Sequence, residues 1–399
     1  MIVIADDITG AAEIAGIAFE QGQQVQLVCG SACSCDTATN ETTVIATDTR
    51  SMSEAEAIAE TKRILLTLSP SHPLTLHSSL FTLHSSLFKK TDSALRGHVV
   101  AELTALLEAT GYERAVYLPA NPSKGRIIRN GVYYIKEVRG QRSEVRSLRS
   151  EWREVPLNET DFSFDPEFPA YTSILKERFP DAEEKGIIMP DAESEEDIRK
   201  VIQQYNDGKT LFAGAADLFS GMIGMGCGRL KKSIAKHPIP SNHASSIFHQ
   251  TSDIRHQTST LILCGSTQSR ALDWGIPTAP MPKEIYDGGN DLSLWDTTGY
   301  KQEHSLILSI PYTHRTGKEV AVHLRTMMAK MAEQLIAEHC PDHLIIEGGA
   351  TAWATLQALG WSQFQIVDQM APGVVQMQAT NGTRVTLKPG SYPWGALIH

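Results

Sequence analysis

Two adjacent carboxylates, Asp6 and Asp7, follow the apolar opening of IVIADDITGAA (residues 2–12) and precede Thr9, Gly10 and a run of small residues. A strand–turn–helix of this shape commonly offers helix N-terminal amides to an anion, yet here the turn itself is negative. Helix capping by Asp7 or Thr9 accounts for one acid, but not for two. A carboxylate at a strand end can accept hydrogen bonds from a polyol, hold a divalent cation through water, or take the proton of an attacking hydroxyl.

A second cluster, KKTDSALRGHV (residues 89–99), crowds Lys89, Lys90, Asp92, Ser93, Arg96, Gly97 and His98 into one turn after an apolar strand. Solvated loop charge would not require the interleaved hydroxyls and glycine. An arginine grips a carboxylate bidentately and a lysine adds a point charge, so the turn suits a small acidic molecule. A third, LPANPSKGR (residues 118–126), presents Asn121, Lys124 and Arg126 on a loop stiffened by two prolines. Together the three give acids for hydroxyls and bases for an anion, as a sugar acid requires.

The second half of the chain carries two glycine turns after apolar runs, CGSTQSR (264–270) and EGGATA (347–352). Gly348 and Gly349 permit close backbone approach, and the following helix start offers amides and Thr351 to a phosphate. The tail adds APGVV (371–375) and LKPGSYPWG (387–395), with Gly390 placed to line the same site. There is no GxxxxGK[ST] loop, no protein-kinase signature set and no GxGxxG after either opening strand.

These turns need elements to hold them, and apolar runs alternate with helical patterns throughout. Strands are expected at 2–5, 25–29, 43–49, 86–93, 113–120 and 185–192, with helices at 11–21, 53–68 (Ser53 N-cap, Glu56 three residues on) and 97–109. A polar, His-rich stretch with two prolines at 231–257 breaks the pattern and reads as a connection; a second strand-and-turn series opens with TLILCGSTQSR (260–270) and continues through SLILSIP (305–311), a long helix around 320–339 and HLIIEGGATAWATLQ (343–357). The expected fold is α/β, two Rossmann-like domains with largely parallel sheets and a cleft between them. The expected domains are 1–230 and 258–399, with 231–257 as linker.

With 399 residues, 41% hydrophobic and 21% charged, the chain has the size and composition of a two-domain globular protein. A formal net charge of -10 argues against a generic nucleic-acid or anionic-membrane surface. No apolar stretch is long enough to span a bilayer and the first residues lack the features of a signal peptide, so the cytoplasm is the expected location. Cys29, Cys33 and Cys35 lack the partners that would complete a zinc site, and Cys227, Cys264 and Cys340 are isolated. All are read as thiols without chemistry, as His237, His243, His249 and His256 are read as linker residues. The heptad TLHSSLF, at 75–81 and again at 82–88, reads as a local duplication too short for a solenoid.

In order and spacing, ADDITGA, KKTDSALRG, PANPSKGR, a GS turn, a GG-x-TA turn, PGV and a closing K-x-G-x-x-x-x-G resemble the four-carbon acid sugar kinase family across nearly the whole chain. The resemblance implies an N-terminal sugar-acid-binding domain and a C-terminal nucleotide-binding domain, with ATP, helped by Mg2+, phosphorylating the terminal hydroxyl of threonate, erythronate or 3-oxo-tetronate. It implies sugar-acid contacts at Asp6, Asp7, Lys90, Asp92, Ser93 and Arg96, and ATP contacts at Ser266, Gly348, Gly349, Ala350, Thr351 and Gly390. Asp7 or Asp6 would act on the hydroxyl, while Arg96 and Lys90 would neutralise the sugar carboxylate or the transferring group. A homodimer is the base-rate expectation. The chain departs from the family pattern at His98, at Asn121 and around Pro389-Gly390 and Tyr392-Pro393-Trp394-Gly395. Two other readings stand beside it: a two-domain sugar-acid-binding protein, and a phosphosugar isomerase or aldolase using Lys89 or Lys90.

Overall fold

A computed structural model describes residues 1–30, 42–68, 87–138, 152–165, 168–226, 258–265, 275–311 and 317–390. The expected linker at 231–257 with its histidines, the heptad copies up to residue 86, Cys33, Cys35, Cys227, Ser266 and the residues after Gly390 lie outside them. Two compact units emerge: Met1–Ile14 with Gly30–Gly228, and Ala15–Cys29 with Arg229–His399.

In chain order the first strands are β1 (Ile2–Ala5), β2 (Val25–Cys29), β3 (Thr42–Ala46), β4 (Leu87–Lys90), β5 (Arg114–Leu118), β6 (Arg126–Arg129), β7 (Val132–Val138) and β8 (Trp152–Pro156). They continue with β9 (Ile187–Ile188), β10 (Thr210–Gly214), β11 (Thr260–Cys264), β12 (Thr278–Pro280) and β13 (Ser305–Ser309). The last are β14 (His343–Glu347), β15 (Gln363–Ala371), β16 (Val374–Ala379) and β17 (Arg384–Lys388).

In the first unit β3, β1, β4, β10, β5 and β9 lie side by side in that order, all parallel. β1, β3 and β4 are buried along their whole length, the signature of a parallel sheet covered on both faces. An antiparallel trio, β6–β7–β8, sits apart from this sheet. In the second unit β12, β13, β11, β14 and β17 run parallel, and β17, β16, β15 and β2 continue antiparallel. Both units are thus α/β with largely parallel strands, as the alternation predicts.

β2 comes from near the N-terminus but pairs with β15, Val28 opposite Gln363. Gly16, on the helix Ile8–Glu20 that leads to it, packs so closely that a Cβ there would lie 1.9 Å from Gln369 Oε1. The chain therefore visits the second unit before the first is complete. Nothing in VQLVC distinguishes it from the other apolar runs, so sequence order carries no sign of this return.

Several boundaries differ from expectation for local reasons. The first helix begins at Ile8 rather than Ala11, because Asp7 Oδ1 accepts the Gly10 N–H at 2.8 Å. The helix expected from Gly97 begins at Val99, since Gly97 holds φ at +93°. KGIIMPDA yields only Ile187–Ile188, with Pro190 lacking the N–H a ladder needs. The capping box at Ser53 and Glu56 forms as expected. Cys29 and Cys264 are buried, which pushes both thiols up to about 12, whereas Cys340 is exposed.

His343 opens β14, is buried, and shares a 2.8 Å hydrogen bond between Nε2 and Thr386 Oγ1. Burial, with help from Arg384, lowers its pKa from 6.5 to about 4. The folded state therefore holds the ring neutral while an unfolded chain takes up a proton below pH 6.5, so stability falls as pH drops from 6.5 toward 4. We expect a loss of about 2 kcal/mol between pH 7 and pH 5 from this group, measured by urea unfolding, and a flatter profile in His343→Gln.

Candidate active site

The strand order sets the site of the first unit. β1 lies between β3 and β4, so the segments leaving their C-terminal ends run side by side: Asp6-Asp7, Thr47–Arg50 and Thr91–Arg96. Backbone bonds lace them together, Arg50 N–H to Asp6 O at 3.2 Å and Asp6 N–H to Lys90 O at 3.3 Å. The loop after β5, which carries Asn121, Lys124 and Arg126, leaves the same end of the sheet.

Arg50, a residue the sequence reading passed over, is the hub. Its Nε and NH2 donate to Asp6 Oδ2 and Oδ1 at 3.1 and 2.9 Å, its NH1 donates to Asp7 Oδ2 at 3.0 Å, and NH1 lies 3.6 Å from Asp92 Oδ1. The three acids respond differently. Burial pushes the Asp6 carboxyl up, only partly opposed by Arg50. Burial acts on Asp7 too, but Arg50, Lys90, the Thr9 hydroxyl (2.5 Å) and the Gly10 amide together hold it below the usual carboxylate range. Asp92 is held far below that range because, against burial, Arg96 and Arg50 both favour its anion. Asp6 is 2% exposed and Asp7 16%, so Asp7 is the acid within reach of a ligand.

Strand pleating separates the two lysines. Lys89 is fully buried against Glu102 Oε1 at 2.5 Å, an oxygen that also accepts from Thr49 Oγ1 at 2.8 Å. Lys90 donates to Thr91 O at 2.9 Å and lies 3.5 Å from Glu13, a carboxylate it shares with Lys124. Gly10 is needed here, since a Cβ would lie 2.7 Å from Asp7 Oδ1 and 3.2 Å from Lys90 Nζ. Arg96 grips Asp92 with NH2 and Nε at 2.8 and 3.1 Å and reaches Asp165 at 3.3 Å. The Ser93 hydroxyl accepts from Arg126, and its carbonyl accepts from the Tyr133 hydroxyl. Asp6, Asp7, Lys90, Asp92, Ser93 and Arg96 are thus gathered at one sheet end. Arg50 and Glu13 join them, signalled in sequence only by following a strand and by lying on the first helix. Among the described residues no group of three His, Cys, Asp or Glu side chains is arranged to hold a metal ion.

In the second unit β11, β14 and β17 are neighbours, which brings their turns together. Gly265 N–H donates to Glu347 O at 3.2 Å and Gly348 N–H to Lys388 O at 2.9 Å. Beneath them Lys388 Nζ and Glu347 Oε1, both buried, meet at 2.7 Å, and Nζ also donates to Pro389 O at 3.0 Å. Gly348 sits at φ +95°, and the helix Gly349–Ala358 starts at once, with Ala350 exposed and Thr351 buried. A Cβ on Gly265 would lie 1.9 Å from Thr351 Oγ1. Gly390 closes the set two residues after β17.

Known proteins fit this division. Residues 1–181 match a family described as a sugar-binding N-terminal domain and residues 286–392 one described as a nucleotide-binding C-terminal domain. A D-threonate kinase of Bordetella bronchiseptica is 25% identical over 95% of this chain and 90% of its own length. A 3-oxo-tetronate kinase of Brucella melitensis is 24% identical over 93% and 88%. The crystal structure of Haemophilus influenzae protein HI1011 shares the fold, with a TM-score of 0.63 at 19% identity over 100% of this chain and 98% of that one. The class is therefore a two-domain protein pairing a sugar-binding unit with a nucleotide-binding one. The chain belongs to the four-carbon acid sugar kinase family.

Removing one partner from a buried ion cluster leaves the others uncompensated. Arg50→Met should cost about 3–5 kcal/mol in urea unfolding. Adding Asp6→Asn should return part of that loss, so that the double variant is more stable than the two single effects sum to.

Proposed function

We propose that this chain is an ATP-dependent kinase that phosphorylates the terminal (C4) hydroxyl of a four-carbon sugar acid such as threonate, erythronate or 3-oxo-tetronate. The observation that carries the reading is the row of carboxylates and cations across the ends of β3, β1 and β4, in the unit that matches a sugar-binding domain.

Asp7 takes the hydroxyl. It is the more exposed of the two acids and stays ionised, whereas Asp6 has both oxygens committed to Arg50. Orienting a hydroxyl and drawing on its proton asks for an anion, and a weak base suffices where the transition state is loose. Lys90 supplies positive charge beside Asp7, and Arg96 keeps Asp92 ionised while its own charge faces the acceptor turn. In the second unit the Gly348–Thr351 turn and Gly390 hold the phosphates through backbone amides. Gly265 fits that task, because the space a Cβ would take is filled by Thr351. Mg2+, when bound, would neutralise charge on the phosphates, which are among its usual ligands.

The reading is checked by coupling ADP release to ATP and a panel of four-carbon sugar acids. Turnover on at least one, on the order of 1–100 s⁻¹, is expected. No turnover on any member, with no ATP-induced rise in melting temperature, would sink it; stabilisation by a sugar acid without turnover would favour a binding protein. Asp7→Asn should lower kcat about 10²- to 10⁴-fold while leaving the KM for ATP near wild type. A kcat within threefold of wild type would remove Asp7 from the proposed role.

A further inference from the structure

The basic side chains of the first unit's site are matched by acids with one exception. Arg50 faces Asp6, Asp7 and Asp92, Arg96 faces Asp92 and Asp165, and Lys90 and Lys124 share Glu13. Arg126 forms no salt bridge among the described residues. Its NH1 donates to the Ser93 hydroxyl, and its guanidinium carbon lies 5.6 Å from the centre of the Phe162 ring. Arg96 stands at the same distance from that ring.

From this arrangement we infer that Arg126 is the residue that selects an acid over a neutral polyol, by receiving the carboxylate of the acceptor. A guanidinium resting on an aromatic ring keeps its in-plane N–H donors free at the edge, the geometry a planar carboxylate accepts bidentately. Only one of those donors is used, by Ser93; Asp92 is near enough to feel the Arg126 charge but makes no salt bridge with it, so a half-buried guanidinium keeps donors that a ligand carboxylate can complete. Arg96, which with Lys90 is expected to neutralise the sugar carboxylate or the transferring group, is already doubly bonded to Asp92. The Ser93 contact sets Arg126 at the edge of the turn that also carries Asp92, so an acceptor anchored there by its acid end is held beside the row of carboxylates.

The assignment rests on the kinase reading, and one experiment separates the two. Calorimetric Kd values are measured for whichever four-carbon sugar acid the wild type turns over and for threitol, the neutral four-carbon polyol. Arg126→Met should weaken the acid about 10- to 100-fold and leave threitol and the KM for ATP unchanged, so that the ratio of the two affinities collapses. Arg126→Lys should recover part of the acid affinity by charge without the fork, and it decides the matter if Arg126→Met does not fold. Acid affinity within twofold of wild type in these variants, or equal weakening of acid and polyol, overturns the role of Arg126 alone. A wild type that neither binds nor turns over any acid overturns the kinase reading and this assignment with it.

Discussion

One guanidinium, that of Arg50, makes the acidic end of the first sheet possible. Three carboxylates within reach of one another and withdrawn from water would otherwise relieve their repulsion by taking up protons or by moving apart. Asp6 shows how near that limit lies, since its carboxyl is still pushed up despite two bonds to Arg50. By meeting Asp6 bidentately and turning its remaining nitrogen toward Asp7 and Asp92, Arg50 lets two of the three stay fully ionised. Under the proposed function, the acid that meets a hydroxyl is useful only in that state.

Arg50 is itself placed by a buried network behind the row of acids. The turn after β3 passes through Asp48 in the left-handed region, φ 57°, into the short turn Thr49–Ser51. Thr49 bonds Thr47 at 2.9 Å and Glu102 at 2.8 Å, and Glu102 is in turn the partner of Lys89. Thus the lysine that faces the core fixes the turn that fixes the arginine. A Schiff-base or proton-transfer role for Lys89 is hard to reconcile with such a place, as its only exit would break a buried ion pair. The second unit uses a comparable device for another purpose. There the Glu347–Lys388 pair joins two neighbouring strands just where each gives way to a glycine turn, and so sets the spacing of the turns.

What could be read from sequence was what lies contiguous in it. ADDITGA and KKTDSALRG each carry their chemistry within a few residues, and apolar runs before them announce strand ends, so the α/β class and the gathering of Asp6, Asp7, Lys90, Asp92, Ser93 and Arg96 followed. Arg50 was not legible, because its meaning comes from acids 43 and 44 residues away and from a strand order that no local signal encodes. The pairing of β2 with β15 was invisible for the same reason: the hydrogen-bonding edge of a strand is indifferent to where its partner lies in the chain.

The departures from the family pattern are also clarified by place. His98 bonds the Met52 carbonyl at 2.8 Å and meets the edge of Phe168, while Asn121 is buried and accepts the Asp217 N–H at 3.1 Å. Neither meets the acids. Asn121, however, exchanges both backbone bonds with Arg126, N–H to O at 2.8 Å and O to N–H at 3.1 Å. Its side chain pins the loop to the start of the helix Ala216–Gly226, where the Asp217 carboxylate accepts from the Ser123 hydroxyl and N–H at 2.7 and 2.8 Å. An aromatic side chain at position 121 could not accept the Asp217 N–H in this way. A change there would shift the backbone from which Arg126 extends.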